Sequence, residues 1–508
     1  MNRLPALLFF FSLLCIGAFG QADLKKLDAY YAKALKDWDV PGMSIAIVKD
    51  GKVVFSKGYG VKETGKSDTP DGNTLYAIAS NSKAFTSAAI ARLADKGKLS
   101  WDDPVVQHIP WFQLPDASVS AKATIRDILS HRVGLGTFSG DLIWYRSKLT
   151  DEEIIRRVRH LPSAYSFRAG YGYSNVMFVT AGEVIERVSG KSWRDFVTQE
   201  LLTPLGMSRT IVGTRDLESI GNYATPHALL DDVHSPMPWE DWENVAATGG
   251  ILSSVNDMAK WMIFHLNHGI WNGDTLMSLQ SHNLVWTPHN NFVVDHSRND
   301  LTGHFSGYGL GWGVGDYRGK LRVGHTGGYP GMVSAVALLP EENLGVVILT
   351  NGMKPIFAAL ANYTLDAFLK ATPRDWSKEN LERYKNRLKN DTRIQDRINS
   401  RKQDTKPTVP QQEYCGDYST PAYGKISIAD DGGKMKIKFE HTPDLTATLS
   451  HWHYDTWKME WDHPEVIAWF SFGTVKFETD NNSHVIGLSF DVPNDDFWFE
   501  EFNAKKVR

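Results

Sequence analysis

Cysteine is almost missing from this chain: 508 residues carry two, Cys15 and Cys415. Cys15 falls in an N-terminal stretch that reads as a removable leader, so the mature chain keeps one thiol. A single thiol excludes an internal disulfide framework, a redox pair and a thiolate metal cage. A basic excess is missing too: 55 Lys plus Arg stand against 59 Asp plus Glu, a net charge of −4. A nucleic-acid binder needs cations to neutralise phosphates, and this chain has no surplus of them. Beyond the first twenty residues no apolar run is long enough to span a bilayer. Aromatic residues, by contrast, are plentiful, with 17 Trp, 18 Tyr and 24 Phe. Most serve a core, and the remainder are available to line a cleft.

The leader has three parts. Arg3 supplies a positive start, residues 4–16 an apolar stretch, and Ala18-Phe19-Gly20 a small-x-small cleavage site. The mature chain then starts near Gln21 and is secreted, to a periplasm or outside the cell. Lipidation at Cys15 is disfavoured because Leu14 stands where a small residue is expected.

At this length one hydrophobic core rarely suffices, so two folded units are expected. Apolar residues at helical spacing (Leu24, Leu27, Tyr31, Leu35) predict a first helix that stops at Pro41-Gly42. Residues 43–48 and 53–55 flank Asp50-Gly51, a hairpin signal because both turn positions favour positive φ. A second hairpin, residues 333–339 and 346–349, lies far downstream across a mainly helical middle. The simplest arrangement is an α+β domain: an antiparallel sheet built from the two chain ends, with helices inserted between. A closing helix follows from Pro355 to Leu369. Residues 371–412 are rich in Lys and Arg with acids interspersed, and predict a solvated helix and a linker. The last hundred residues alternate in short runs between Asp/Asn/Gly turns, which predicts a small all-β barrel or sandwich. The expected units are a leader (1–20), a catalytic domain (21–370), a charged helix and linker (371–412) and a β domain (413–508).

The sharpest chemical signal is Ser80-Asn81-Ser82-Lys83 at the start of a helix-forming run. Free N–H groups at a helix N-terminus favour a developing oxyanion there. Lys83, three residues on, shares the face of Ser80. Partial burial lowers an amine's pKa, so Lys83 can serve as the base for a serine nucleophile. Alone, Ser-x-x-Lys is weak, since ordinary composition gives a match or two in roughly 500 residues. Two distant segments sharpen it. Tyr173-Ser174-Asn175 opens another helix, and His325-Thr326-Gly327-Gly328 reads as a strand edge whose glycines admit a substrate backbone.

These three boxes resemble those of the serine β-lactamase and penicillin-binding-protein superfamily, in the class C-like branch that uses Tyr-x-Asn. Lesser landmarks agree, among them Asp127 to Leu135, Pro204 to Met207, Thr248 to Ser254 and Tyr308 to Trp312. The resemblance covers roughly residues 24–369. It implies that Ser80 is acylated, that Lys83 and Tyr173 shuttle its proton, and that Asn175 holds Lys83 and a substrate amide. It further implies an oxyanion hole from the N–H groups of Ser80 and Gly328, with His325, Thr326 and Gly327 forming the substrate edge. The β domain resembles one often attached to such hydrolases.

One departure matters. Many members carry Lys in the third box, a permanent cation for a substrate carboxylate, where this chain has His325. Histidine is mostly neutral near pH 7 unless a neighbour raises its pKa. The resemblance implies that His occurs here in D-aminopeptidases, esterases and other relatives that need not grip a carboxylate. The expected activity is a peptidase or amidase on small D-amino-acid-containing or cell-wall-derived peptides, without cofactor or metal. An esterase or weak β-lactamase, and a penicillin-binding sensor with little turnover, remain open. His451 and His453 share a strand face but lack a clearly spaced third ligand, so they read as surface or packed residues. Cys415 reads as a buried structural thiol and His131 as a buried structural residue.

Overall fold

The computed structural model describes residues 22–295 and 303–507. The leader expected at residues 1–20, with Cys15, lies outside the described residues. Among them no helix is long and apolar enough to cross a membrane.

Helix α1 (Leu24–Trp38) starts on Asp23, whose carboxylate accepts from the N–H groups of Lys25 and Lys26. Strands β1 (Gly42–Lys49) and β2 (Lys52–Gly60) follow. They join through Asp50 and Gly51, both at positive φ, as the Asp-Gly pair predicts. Strands β3 (Asn290–Asn291), β4 (Ser306–Tyr308), β5 (Gly313–Tyr317), β6 (Lys320–Tyr329), β7 (Met332–Leu339) and β8 (Leu344–Thr350) complete an antiparallel sheet in the order β3-β4-β5-β6-β7-β8-β1-β2. The β1–β8 pairing, with Ile45 opposite Ile348, joins the two chain ends, as expected for the α+β domain.

The central strands are buried on both faces. Ile45, Ile47, Val346 and Ile348 pack toward α1 and the helix α5 (Phe357–Leu369). Their alternates Ala46, Val48, Val347 and Leu349 face the large helical region that includes α2 (Ser82–Asp95), α3 (Asn175–Ser189) and α4 (Val255–Leu266). Period-2 strands between two helical layers explain why these segments read as near-continuous apolar runs. Helix α5 begins two residues after Pro355, slightly later than the sequence suggests.

The segment 371–412 differs from expectation. It holds two helices, α6 (Trp376–Asn390) and α7 (Arg393–Ser400), and each is docked. Trp376 donates to Asp366 of α5 at 2.8 Å, tying α6 to the hydrolase domain. Arg397 forks onto Asp491, and Arg393 pairs with Asp495, tying α7 to the β domain. Few of their large side chains are apolar, so hydrophobic periodicity carried no sign of either contact.

Strands β9 (Gly416–Thr420), β10 (Gly424–Asp431), β11 (Lys434–Phe439), β12 (Thr442–His453), β13 (Thr456–Trp461), β14 (Thr474–Thr479), β15 (Val485–Asp491) and β16 (Ala504–Lys506) close into an antiparallel barrel. Closure comes from β16 pairing back onto β9, which removes the open edges. The barrel interior and the helical region form one continuous set of packed apolar side chains. Tyr145 of the hydrolase domain sits among Phe470 and Phe497 of the barrel, at ring-centroid distances of 5.7 and 4.7 Å.

Candidate active site

Ser80 lies on a short 3-10 turn, Ala79–Asn81, that runs straight into α2. Ala79 takes a φ of 46°, a costly conformation for a residue with a Cβ. The turn is held against the sheet: Asn81 Nδ2 donates to Ser334 Oγ at 2.8 Å, and Ser334 Oγ donates to the Ile78 carbonyl. Because α2 is buried on every side, Lys83 is fully enclosed.

Lys83 Nζ has three oxygen neighbours: Asn175 Oδ1 at 2.7 Å, the Thr248 carbonyl at 3.0 Å and Ser80 Oγ at 3.0 Å. Burial holds the Lys83 pKa well below the usual 10.5, against a smaller opposing pull from Asp141. A neutral amine has two N–H bonds and one lone pair. The Asn175 and Thr248 oxygens can only accept, so they take the two N–H bonds. The lone pair is left facing the Ser80 hydroxyl, the one neighbour able to donate. The arrangement can therefore take a proton from Ser80.

Helix α3 starts at Asn175, so Asn175 enters the site from a rigid first turn while Tyr173 sits on the preceding loop. Asn175 is polarised from three sides. Its Oδ1 accepts from Lys83 and from Thr248 Oγ1 at 2.8 Å, and its Nδ2 donates to Asp141 Oδ2 at 2.6 Å. Tyr173 shares a hydrogen bond with Ser80, and its ring lies 4.7 Å below Lys83 Nζ. Burial raises the Tyr173 hydroxyl well above its usual pKa, so it enters the site protonated.

The third box forms the rim. Strand β6 pairs with β5 only as far as Gly324, leaving one edge of residues 325–329 unpaired beside Ser80 among the described residues. Gly327 is required there, because a Cβ would stand 2.2 Å from the Ile78 carbonyl. Gly328 lines the cleft, and a Cβ there would meet nothing within 4 Å. His325 Nδ1 lies 2.6 Å from the Thr326 carbonyl, which can only accept, so Nδ1 carries the proton. Nε2 then accepts from the Tyr308 hydroxyl at 2.9 Å. Burial and the nearby Lys83 push His325 down to about 4, so it is neutral at physiological pH. No carboxylate raises it.

His131 is fully buried, and its Nδ1 accepts the Ser174 N–H at 3.0 Å, fixing the loop that carries Tyr173. Asp127, one of the lesser landmarks, braces the same region by accepting from Arg132 and Arg168. Among the described residues His451 and His453 meet no third ligand. His451 Nε2 contacts the Tyr454 carbonyl and His453 Nδ1 accepts from Lys402 N–H. Cys415 is half-buried rather than buried, and desolvation pushes its thiol up, away from reactivity.

Sequence reasoning missed several groups. Asp141 is buried and pushed up to about 8 by desolvation, and nothing in its local sequence marks it. The Thr248 carbonyl is a backbone atom, invisible to side-chain motifs. The cleft over Ser80, about 340 Å³, is completed by Trp469, Asp496 and Phe497 of the barrel. That volume is within the range of small-ligand pockets.

Residues 27–370 match the model of the Beta-lactamase family, and residues 400–506 match a domain of unknown function, DUF3471. The chain is 30% identical over 445 residues to unguisins hydrolase ungD' of Aspergillus campestris, covering 80% of this chain and 78% of that one. It is 28% identical over 339 residues to protein flp of Staphylococcus aureus, covering 64% of this chain and 63% of that relative. Among solved structures, the octameric penicillin-binding protein homologue from Pyrococcus abyssi shares the fold, with a TM-score of 0.62 at 23% identity, covering 95% of this chain and 100% of that one. The chain belongs to the Beta-lactamase family, as a serine hydrolase whose catalytic domain is followed by a DUF3471 barrel.

Proposed function

We propose that the protein is a secreted peptidase or amidase that works through an acyl-enzyme on Ser80, on small peptides containing D-amino acids or derived from cell wall. The observation that carries the chemistry is the enclosed Lys83 amine, whose N–H bonds are taken by Asn175 and Thr248 so that its lone pair faces Ser80. Ser80 Oγ attacks the scissile carbonyl carbon as its proton passes to Lys83. The oxyanion is held by the N–H groups of Ser80 and Gly328. Tyr173, bonded to Ser80, relays the proton to the leaving amine, and the C–N bond breaks to give a Ser80 ester. Water, deprotonated by the same pair, then attacks the ester and releases the acid.

The substrate class rests on three supports. The unpaired edge of β6 can bind an extended peptide backbone, the cleft suits a few residues, and one relative is named as a hydrolase of unguisins. Neutral His325 disfavours substrates that need a cation for a carboxylate, including penicillins. Intact-mass measurement after exposure to a fluorophosphonate, and separately to a penicillin, tests the proposal. A fluorophosphonate adduct on Ser80 without a penicillin adduct is expected. Folded protein that takes neither label would sink the acyl-enzyme reading. A panel of D- and L-aminoacyl amides, simple esters and a chromogenic cephalosporin then separates peptidase, esterase and β-lactamase; ester cleavage alone would overturn the peptidase assignment.

A further inference from the structure

Among the described residues the cleft is lined by acids and by no permanent cation. Asp141 and Asp496 border it, and among the described residues no Lys or Arg does. His325 is the imidazole among the lining residues, and it is held neutral. Lys83 lies beneath the serine, enclosed and engaged. A substrate carboxylate in this cleft would therefore meet two acids and no cation.

The two acids differ in what holds them. Asp141 is buried and accepts from Asn175 and Trp144, the latter at 2.9 Å. Asp496 is partly exposed to the cleft, and its carboxylate has no hydrogen bond or ion pair among the described residues, whereas its neighbour Asp495 pairs with Arg393. The loop around Asp496 is nevertheless rigid. Asn494 Oδ1 accepts from the N–H groups of Asp496 and Phe497, and Asn494 Nδ2 donates to the carbonyls of Val492 and Phe497. Trp498 Nε1 donates to the Thr137 carbonyl at 2.6 Å, and Glu501 accepts from the Gly140 N–H at 3.0 Å, next to Asp141. The barrel thus holds an unpaired carboxylate over the nucleophile while clamping the turn that carries the other. Burial and Asp495 push Asp496 up to about 6, the behaviour of an acid that lacks a cation in the free protein. Trp144, Tyr145, Trp242 and Phe497 line the same cleft, and aromatic rings also favour a cation.

We propose that the cleft selects substrates bearing a primary ammonium close to the scissile carbonyl, and that Asp496 from the barrel receives that ammonium. The inference rests on the acyl-enzyme reading, which guarantees that a ligand lies over Ser80. It assigns the barrel a part in specificity. The ammonium can be an N-terminal α-amine or a lysine-type side chain, and the test separates the two.

The test uses the full chain and three p-nitroanilides, each in D and L forms: alanine with a free amine, N-acetyl-alanine, and Nα-acetyl-lysine. kcat/KM is measured for each, with protection of Ser80 from fluorophosphonate labelling as a second readout that does not need turnover. At least one ammonium-bearing compound should exceed N-acetyl-alanine about tenfold or more in either readout. Alanine leading identifies the α-amine, and Nα-acetyl-lysine leading identifies the side chain. Asp496→Asn should shrink that preference about tenfold, and Asp496→Glu should restore part of it. Labelling of Asp496→Asn by the fluorophosphonate certifies a folded site; if that variant does not label, the wild-type ratio alone decides. Equal or better handling of N-acetyl-alanine by the wild type, or an undiminished preference in labelled Asp496→Asn, overturns the inference. Absence of any adduct on the folded wild type instead removes the acyl-enzyme reading, and this inference with it.

Discussion

The two walls of the cleft are built on opposite principles. The inner wall, with Ser80, Lys83, Asn175 and Thr248, is saturated: each polar atom around Lys83 has a partner, and the helices that carry them are buried. The outer wall sets Trp469, at the end of a short helix (Pro464–Trp469), beside a loop pinned at its base by Asn494 that carries Phe497 and an Asp496 carboxylate unpaired among the described residues. A site that must perform one proton transfer gains from groups fixed before substrate arrives. A surface that must choose among substrates keeps a group unpaired until the right one supplies its partner.

Perturbing the inner wall should remove the chemistry. Ser80→Ala is expected to abolish fluorophosphonate labelling and lower kcat by roughly 10⁴-fold or more, with thermal stability within about 2 kcal/mol of wild type. Lys83→Ala should cost roughly 10³-fold or more, again with a folded protein. Because the Lys83 amine is held well below 10.5, kcat/KM should fall on the acid side as the ammonium forms and stay level into the alkaline range. A rising limb near 10.5 would mean that Lys83 is not the base.

Gly327→Ala drives a Cβ to 2.2 Å from the Ile78 carbonyl and so separates β6 from the turn that carries Ser80. A loss of about 100-fold in kcat/KM is expected, of the size seen when reacting groups are misplaced by about an ångström. An unaffected enzyme would mean that the strand edge does not form the rim.

Asp141 stands between the walls, and its signature is in stability. Its folded pKa, pushed up to about 8, exceeds the ordinary 3.8. Its contribution is therefore fully present below about 4 and is lost as pH rises through about 8. Apart from a constant offset for one mismatched amide contact, Asp141→Asn should gain on wild type by about 5 kcal/mol across that window. Chemical denaturation at a series of pH values reads the difference, and a flat difference would show that Asp141 is ionised in the fold.

Loosening the outer wall should have the smallest effect and fall on binding. Asn494→Ala removes the four bonds that shape the Asp496 loop and should raise KM about tenfold with little change in kcat. A collapse of kcat instead would make the barrel part of the chemistry, and the two walls would cease to be distinct.

Much of the inner wall is legible in the sequence because its signals are local. Ser80 and Lys83 are three residues apart on one helix, and Tyr173 and Asn175 flank another helix start. The Asp-Gly hairpin and the period-2 strands likewise declare the sheet. The linker misled because α6 and α7 dock through charged forks and single aromatics, which hydropathy does not register.

From its residues alone this chain determined its α+β hydrolase domain, its small β domain, the spacing of the proposed nucleophile Ser80 and base Lys83, and the presence of His325 where a permanent cation could stand. Each depends on spacing along a helix or strand, which the chain carries in itself. Tertiary structure alone decided that Thr248 presents a carbonyl to Lys83, that Asp141 backs Asn175, and that Asp496 reaches the cleft from the barrel, 416 positions beyond Ser80 by their numbers. Such contacts arise when distant segments close on one another. Their energy comes from packing and burial shared across the whole core, and no short stretch of sequence records it.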